Sequence, residues 1–521
     1  MATLDVVVLV GYFLTVTLFG FFSGRSTKTT HDFFFAGQRY GWFVIAMSCV
    51  ATVVGSYSFV KYSGIAYDHG IAGSQNYLND WMWIAFFVGG WLPILWLSGI
   101  WSIPEYFEKR FGSKVRAVVT VLLLIYMVGY IGINFRTLGK VLDTLQPLGA
   151  DPYMSEIYWS VIVAVLCAFY VTAGGQVSVI ATDLFQGVLL LLAGFAVVWL
   201  GVEALSEHGG FWANLPQAQK AAFTPFNEPP NFSSIGLFWQ DGMANTTAFY
   251  FVNQGLVMRF LSAKNMEEGR KAIVAVVLIL MPLAAIAVCG GGWVARAIFE
   301  AGLFTPEQLK SITDGDKIFV VVTKKLTSPG FFGLIMAALT AALMSTADTL
   351  INATAAVTVN DVWKPYIAKN REDSYYLKVA RWASIATAML GILLVPVFMG
   401  FDNIFHAHGM FTAAITPPLV VALLMSLIWK RYTTAGVLAT LIGGMAIILL
   451  SMVIPEMIAP FSHGVEPGGE GAKAYKYMRA FFGLFCCVGV GVIVSYISKA
   501  PPESELTNLV VGHLEWPPKK D

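Results

Sequence analysis

The most constraining feature of this sequence is an apolar stretch, residues 331–366, with oxygen-bearing side chains near its middle. It is long enough to cross a membrane as one helix. The polar residues are Ser345, Thr346, Asp348, Thr349 and Asn352. At 100° of rotation per residue they fall within an arc of about 160° on one side of that helix. A carboxylate at the centre of a bilayer costs roughly 2.5 to 3.5 kcal/mol, so we expect Asp348 to face a cavity, a partner or an ion.

The composition is typical of a protein with many membrane-spanning segments. Of the 521 residues, 57% are hydrophobic and 12% are charged, and the mean hydropathy is +0.67. Soluble domains rarely combine such values. The net charge of +1 provides no basic surface for nucleic acid. The five cysteines form no CxxC pair, which argues against a zinc site or a disulfide framework.

Apolar runs of about twenty residues predict an all-α membrane protein with about thirteen spanning helices in a single domain, residues 1–521. The runs cover residues 4–22, 42–67, 73–100, 114–146, 155–173, 177–206, 234–261, 270–302, 330–362, 376–399, 404–429, 433–454 and 473–497. The first run lacks a basic leader and a cleavage site, so we expect it to be a retained helix.

Lysine and arginine are more frequent in the loops on one side of the predicted membrane. In that distribution Arg259 is counted on the cytoplasmic side and Lys61 on the external side. The positive-inside rule then places the N-terminus outside the cell and the C-terminus in the cytoplasm. We therefore expect a protein of the inner (plasma) membrane with a short cytoplasmic tail, residues 500–521.

Two predicted helices contain residues that disfavour a continuous helix. Gly55 and Ser56 interrupt one of them, and Gly242 and Asn245 interrupt another at a corresponding position in a second group of five helices. Paired interruptions of this kind are typical of transporters that bind substrate between broken helices. The alternative is that Gly and Ser only allow neighbouring helices to pack closely.

Six motifs, in order along almost the whole chain, resemble those of the sodium:solute symporter family, which includes bacterial sodium/galactose and sodium/proline carriers. They are DFFFAGQRYGWFVIAMS (32–48), GIWSIPEYFEKRFG (99–112), YVTAGGQVSVIATDLFQ (170–186), NQGLVMRFLSAKN (253–265), AALTAALMSTADTLINATAAVTVNDVWKPYI (337–367) and WKRYTTAGVLATLIGG (429–444). Gln176 departs from the pattern, because the family usually has an apolar residue there. The resemblance implies a leucine-transporter-like core of two inverted five-helix repeats, 42–206 and 234–429, with one extra helix before it and two after it.

The resemblance also implies a main sodium site. Its ligands on this sequence are the carbonyls of Ala51, Val54 and Ala342 and the hydroxyls of Ser345 and Thr346. Uncharged oxygen ligands suit a weakly held monovalent cation better than Ca²⁺. Without the resemblance, a Ser-Thr pair on an apolar helix would more often bond back to its own carbonyls.

A second cation site occurs in some members of the family. Its positions correspond here to Asp183, Ser345, Asp348 and Thr349. Asp348 replaces a small or hydroxyl residue, so two carboxylates would lie near each other. Two Na⁺ would balance their charge, and we expect two Na⁺ per cycle. The alternative is that the carboxylates share a proton.

Family positions that contact substrate correspond to Tyr57, Ser58, Tyr77, Asp80, Phe249 and Phe405. The sequence lacks the Glu, Gln and Lys residues of the sugar carriers, which disfavours a sugar. Asp80 among aromatic residues favours an amine-bearing or cationic solute. Alternatively, Asp80 pairs with Arg136 or Lys140 at the outer end of its helix. The sequence does not identify the solute.

These observations predict a sodium-coupled symporter that imports a small polar organic solute by alternating access and that is not an enzyme. Na⁺ is the only metal or cofactor expected. The expected partners are the solute and membrane lipid, with no nucleic acid and no obligate protein partner. A proton-coupled carrier of the same fold is the main alternative. A membrane sensor is less well supported, because no signalling domain is evident.

Overall fold

Helices make up nearly all of the regular structure. The computed structural model describes residues 1–55, 58–230, 232–311, 315–401 and 404–515, and within these ranges it contains no β-sheet. One isolated bridge pairs Tyr40 with Ala263. The predicted all-α class is confirmed.

The main helices are labelled in chain order. They are α1 (Thr3–Gly24), α2 (Trp42–Gly55), α3 (Ser58–His69), α4 (Ser113–Leu145), α5 (Pro152–Gly174), α6 (Gln176–Ala204), α7 (Gln254–Leu261), α8 (Met266–Glu300), α9 (Phe331–Ile367), α10 (Asp373–Met399), α11 (Ile404–Ile428), α12 (Thr434–Val453) and α13 (Met478–Ile497). Short helical turns of varying type fill residues 70–97 and 234–252.

Eleven helices in the described part of the chain are long and apolar enough to cross a membrane, and one of them is the run Ser58–Leu97 that begins with α3. Helix α2 is not among them, because its described part, Trp42–Gly55, has only 14 residues. The irregular segment 234–252 is not among them either. The total of about thirteen spans therefore stays a prediction.

Helix α9 lies at the centre of the bundle. Its most apolar window is 94% buried inside the protein, whereas the corresponding windows of α1 and α10 are 22% and 33% buried. It packs against α1, α2, α4 and α6. A helix that is covered on all sides by other helices can carry polar side chains without exposing them to lipid.

Close glycine contacts hold the outer helix α1 against the bundle. A Cβ atom on Gly24 would lie 2.4 Å from the Cα atom of Gly174, so only glycine fits where α1 and α5 meet. The Thr27 hydroxyl donates to the Gly174 carbonyl at 3.2 Å. The C-terminal ends of α1 and α5 are therefore fixed at the same end of the molecule.

A buried ion pair fixes the far end of α9. Arg116 on α4 donates to Asp361 at 2.8 Å. The hydroxyl of Ser102, which also caps the short helix Ile103–Phe111, donates to the same carboxylate at 2.9 Å. The C-terminal end of α9 therefore contacts both α4 and the start of the short helix Ile103–Phe111, which precedes α4.

Candidate cation and solute sites

The polar stripe on α9 is completely buried. Ser345, Thr346, Asp348 and Asn352 are 0% exposed and Thr349 is 1% exposed. Their hydrogen bonds go to four different neighbours, namely α2, α5, α6 and α7. The stripe therefore connects several helices rather than lining an open channel.

The end of α2 lies directly against α9. A Cβ atom on Gly55 would lie 2.0 Å from the carbonyl oxygen of Ala342 and 3.1 Å from the hydroxyl oxygen of Thr346. The Thr346 hydroxyl donates to the carbonyl of Thr52 at 2.9 Å. Glycine at position 55 is what allows the two backbones to come this close.

Two further predicted sodium ligands lie on the same end of α2. Ala51 and Val54 are both 0% exposed. Both belong to the last described turns of α2, next to the contact of Gly55 with α9. The arrangement of carbonyls and hydroxyls is chemically suited to Na⁺.

The carboxylate of Asp183 on α6 faces the other side of Ser345. It accepts hydrogen bonds from the Ser345 hydroxyl at 2.5 Å and from the Ser48 hydroxyl at 2.6 Å. It is also paired with the guanidinium of Arg259 on α7 at 2.6 Å. The ion pair is completely buried, with both side chains 0% exposed.

Arg259 is a residue of this site that the sequence analysis did not recognise. Its placement in a cytoplasmic loop is wrong, because α7 carries it into the protein interior. Its guanidinium donates to Ser48 at 2.7 Å, to the Gly255 carbonyl at 3.2 Å, and to the hydroxyl of Thr349. A planar guanidinium with five N–H donors suits such a buried position. The apolar residues on both sides of Arg259 were the available sequence signal.

The group formed by Asp183, Asp348 and Arg259 is therefore less negative than two carboxylates alone. With Asp183 and Asp348 both ionised, Arg259 reduces the formal charge of the group from −2 to −1. One added cation balances what remains.

Ser345 lies between the two candidate cation sites. Its hydroxyl contacts Asp183 on one side, and its oxygen lies 3.4 Å from the Thr52 hydroxyl oxygen on the other. The Thr52 hydroxyl also lies 3.2 Å from that of Thr349. One serine thus belongs to both groups of oxygens.

Asp348 has its own partner on a different helix. The hydroxyl of Tyr170 on α5 donates to it at 2.6 Å. The Thr349 hydroxyl lies 3.4 Å from its other oxygen and donates to the Ser345 carbonyl at 2.6 Å. Asp348 and Asp183 are therefore held by separate sets of donors.

The family departure at Gln176 is explained by Asn352. The Asn352 amide donates to the Gln176 side chain at 2.8 Å, and both residues are 0% exposed. The two side chains form one buried pair between α6 and α9. Asn352, the last polar residue of the stripe, therefore packs against α6.

Four of the predicted solute contacts line one small cavity between α3, α4 and the irregular segments 70–97 and 234–252. They are Ser58, Tyr77, Asp80 and Phe249. The other lining residues are Val53, Tyr62, Asn76, Tyr130, Asn245, Thr246 and Tyr250. The volume of this cavity is about 50 Å³, which is small beside the ≈ 300–1,000 Å³ of most ligand sites. Tyr57 and the side chain of Phe405 lie outside the described part of the chain.

Asp80 faces this cavity and not the outer end of the bundle. It accepts hydrogen bonds from Thr246 at 3.1 Å and from Tyr250 at 2.8 Å. The alternative that it pairs with Arg136 or Lys140 is wrong. Those two side chains pair with other carboxylates, on Glu156 and Asp316 respectively.

Comparison with known sequences gives a consistent result. The profile of the "Sodium:solute symporter family" matches residues 33–444. A sodium/glucose cotransporter of Vibrio parahaemolyticus is 27% identical over 82% of this chain and 80% of its own length. The human sodium/glucose cotransporter 4 and sodium/myo-inositol cotransporter 2 are each 26% identical, over 97% and 98% of this chain and 77% and 78% of their own lengths.

Solved structures share the fold. A Na⁺-coupled sialic acid symporter in a substrate-bound, outward-open state superposes with a TM-score of 0.74 at 19% identity, covering 96% of this chain and 99% of that chain. The nucleobase-cation-symport-1 family transporter Mhp1 superposes with a TM-score of 0.51 at 13% identity, covering 92% and 98%. The predicted leucine-transporter-like architecture is confirmed.

Proposed function

Because this chain belongs to the sodium:solute symporter family and is a Na⁺-coupled solute symporter of the membrane, we propose that it imports a small polar organic solute by alternating access with two cations per cycle. The observation that carries the proposal is the buried contact of Gly55 on α2 with Ala342 and Thr346 of α9. We also propose that residues 42–206 and 234–429 are the two inverted repeats. The chain is not an enzyme.

The first cation in this proposal is Na⁺, held by Ala51, Val54, Ala342, Ser345 and Thr346. The close approach of Gly55 to α9 supports this assignment, because it brings carbonyl and hydroxyl oxygens from two helices together in a dry site. Bound Na⁺ would hold α2 against α9, and its release to the cytoplasm would allow them to separate. One Na⁺ moving down 100 mV supplies about 2.3 kcal/mol.

The second cation is proposed to be Na⁺ near Asp183, Ser345, Asp348 and Thr349. Arg259 already neutralises one of the two carboxylates, so a single added ion suffices there. Two ions per cycle would roughly double the driving force from the membrane potential.

A proton at Asp348 is the second candidate, favoured by one observation. Asp348 has hydrogen-bond partners of its own, Tyr170 at 2.6 Å and Thr349 at 3.4 Å, and shares no donor with Asp183. Replacing Asp348 with Asn separates the two candidates. If the second cation is Na⁺, the Hill coefficient for sodium falls to about one; if it is a proton, the Hill coefficient is unchanged and the pH dependence of uptake is lost.

The solute is proposed to carry hydrogen-bond donors that reach Asp80. Each Asp80 oxygen accepts one bond from the protein, and a carboxylate has about four acceptor positions, so it retains capacity for a ligand. Both hydroxyl and ammonium groups fit this requirement. The names of the relatives specify glucose and myo-inositol, so these belong in a test panel beside amine-bearing solutes.

A thermal-stability screen of the purified protein tests coupling and solute together. The panel contains glucose, myo-inositol and amine-bearing solutes, each in Na⁺ and in K⁺. We expect one class to raise the midpoint of unfolding only in Na⁺, and Asp80→Asn to abolish that shift for a cationic solute but reduce it for a neutral polyol. Equal shifts in Na⁺ and K⁺ would contradict sodium coupling at these sites.

The orientation proposed is N-terminus outside and C-terminus in the cytoplasm, in the plasma membrane. Arg259 and Lys61 are both buried and therefore do not count as loop charges. Leaving them out removes one residue from each side of the membrane, so the excess of Lys and Arg on the cytoplasmic side is unchanged. Single cysteines at Glu207 and at Arg371 test it by labelling in intact cells. We expect an impermeant thiol reagent to reach the first and not the second.

A further inference from the structure

An apolar groove of about 700 Å³ lies on the outside of the bundle between α1, α5 and α10. Helix α5 packs against both neighbours and forms the floor of the groove, where the small side chains of Ala164 and Ala168 leave room. The ring of Phe21 on α1 stacks on that of Phe169 at a centroid distance of 5.1 Å. These contacts build a recess rather than a flat surface facing lipid.

One end of the groove is polar and positively charged. Arg25, Thr172 and Arg381 line it there. The Thr172 hydroxyl and the Nε atom of Arg381 are buried and have no hydrogen-bond partner among the described residues. None of the groove-lining residues is acidic. The two arginines therefore present donors and positive charge to a ligand that would occupy the groove.

The polar groups lie toward one end of the helix bundle. The Gly24–Gly174 contact places the C-terminal ends of α1 and α5 together, and the backbone N–H of Thr30 donates to Asp373 at 2.8 Å, which brings the start of α10 to the same end. From Arg381 the groove extends along α10 to Ile392, which is about 16 Å at 1.5 Å per residue. That length is about half of the ≈ 30 Å hydrocarbon core of a bilayer, as expected for a site within one leaflet.

We infer that this groove binds an anionic phospholipid from the leaflet at that end, which is the cytoplasmic leaflet in the proposed orientation. The headgroup phosphate would accept bonds from Arg25, Arg381 and Thr172, and one acyl chain would lie over Ala164 and Ala168. Charge complementarity selects an anionic over a zwitterionic headgroup, because the two arginines lie in a groove whose described lining contains no acidic residue. Arg25 also lies over the rings of Phe21 and Phe22, at 5.2 and 4.9 Å from their centroids, which holds its guanidinium at the groove.

Titration of phosphatidylglycerol into the delipidated, purified full-length protein tests this site, with phosphatidylcholine as the comparison lipid. The readouts are the midpoint of thermal unfolding and the number of lipids retained in native mass spectrometry. We expect phosphatidylglycerol to be retained and to raise the midpoint more than phosphatidylcholine does. Arg25→Gln and Arg381→Gln should each weaken its binding about fivefold.

Two matched controls separate a specific site from general effects of charge and size. Arg371→Gln removes an arginine at the same membrane surface outside the groove and should bind phosphatidylglycerol as the wild type does. Ala168→Trp fills the floor and should abolish retention, whereas Leu192→Trp on a lipid-facing surface of α6 should not. Equal binding of the two lipids, or normal retention by the Arg25→Gln/Arg381→Gln double variant, overturns the inference.

Two further measurements test other occupants. If inorganic phosphate stabilises the protein as much as phosphatidylglycerol, the acyl chain contributes nothing and the groove is not a lipid site. If Ala168→Trp changes the oligomeric state in detergent but not lipid retention, the groove binds another protein copy instead. We expect neither result.

Discussion

The two candidate cation sites lie on opposite sides of Ser345 and are built from different chemistry. The first consists of backbone carbonyls and neutral hydroxyls at the contact of α2 with α9. The second contains two carboxylates and a guanidinium, all fully buried. A neutral site can lose its ion without leaving a charge in low dielectric, whereas the second site carries −1 without its ion when both carboxylates are ionised. Without Arg259 that remaining charge would be −2.

The largest loss of thermal stability is expected from removing Arg259. Arg259→Ala leaves Asp183 buried without its partner, which destabilises proteins by about 3–5 kcal/mol. We expect a large loss of thermal stability of the purified protein. Lys271→Ala is the matched control, because Lys271 is half exposed and pairs with Glu267 and Glu268 at the protein surface. This variant should unfold at the wild-type midpoint.

A double variant shows whether charge is the cause. Arg259→Gln/Asp183→Asn removes both members of the pair and should recover part of the stability lost in Arg259→Gln alone. If the double variant is no more stable than Arg259→Gln, Arg259 stabilises the protein by packing. The unpaired charge of Asp183 is then not the cause of the lost stability.

Gly55→Ala is expected to cause a smaller loss of stability, which is confined to the first site. The added Cβ atom would meet the Ala342 carbonyl oxygen at 2.0 Å, and overpacking of this kind costs typically 1–3 kcal/mol. The separation of α2 from α9 should weaken the stabilisation of the protein by Na⁺. Gly11→Ala on α1, where nothing lies within 4 Å, is the control. Wild-type sodium dependence in Gly55→Ala would refute the assignment of the first site.

The next comparison is between Ser345→Ala and Thr346→Ala, measured as the Na⁺ concentration for half-maximal uptake. Ser345 donates to a carboxylate, a bond worth about 1.5–3 kcal/mol, whereas Thr346 donates to a carbonyl for about 1 kcal/mol. We expect a shift of tenfold or more for Ser345→Ala and about fivefold for Thr346→Ala. Thr354→Ala serves as control because its hydroxyl bonds to its own helix, at the Leu350 carbonyl. The reverse order of shifts would show that Ser345 serves only one site.

The smallest effect is expected from Tyr170→Phe, which removes only the hydroxyl that donates to Asp348. A hydrogen bond of this type contributes about 1 kcal/mol if a second cation already neutralises the carboxylate. We expect a modest loss of thermal stability and an unchanged Hill coefficient for sodium. Tyr153→Phe, at an exposed tyrosine, should have no effect. A loss as large as that of Arg259→Ala would mean that Asp348 is held ionised by Tyr170 alone.

The polar stripe shows how much of the site could be predicted from the sequence. Helical periodicity alone indicated that Ser345, Asp348 and Asn352 face one side of a buried helix. Resemblance to a family then suggested Asp183 as a neighbour of Ser345, although 162 positions separate them. Local pattern predicts which side of a helix is polar, and only a known fold indicates what lies opposite.

Arg259 and Asp80 show what the sequence could not predict. Arg259 lies beside loop charges and its partner Asp183 is 76 positions away, so the apolar residues on both sides of Arg259 could not identify that partner. For Asp80 the sequence left two alternatives, contact with a solute or an ion pair with Arg136 or Lys140. Its actual donors, Thr246 and Tyr250, are neutral residues of an irregular segment whose path depends on tertiary packing.

The position of Ser345 has a consequence for how the two sites respond to each other. A hydroxyl has one proton and two lone pairs, and here the proton is directed to Asp183, which leaves the lone pairs on the side of Thr52. A cation that uses this oxygen at one site therefore changes the bond it makes at the other. Thermodynamic linkage is reciprocal, so whatever factor one occupant imposes on the affinity of the second, the second imposes on the first. Ion binding to this carrier is expected to be cooperative through a single shared oxygen atom.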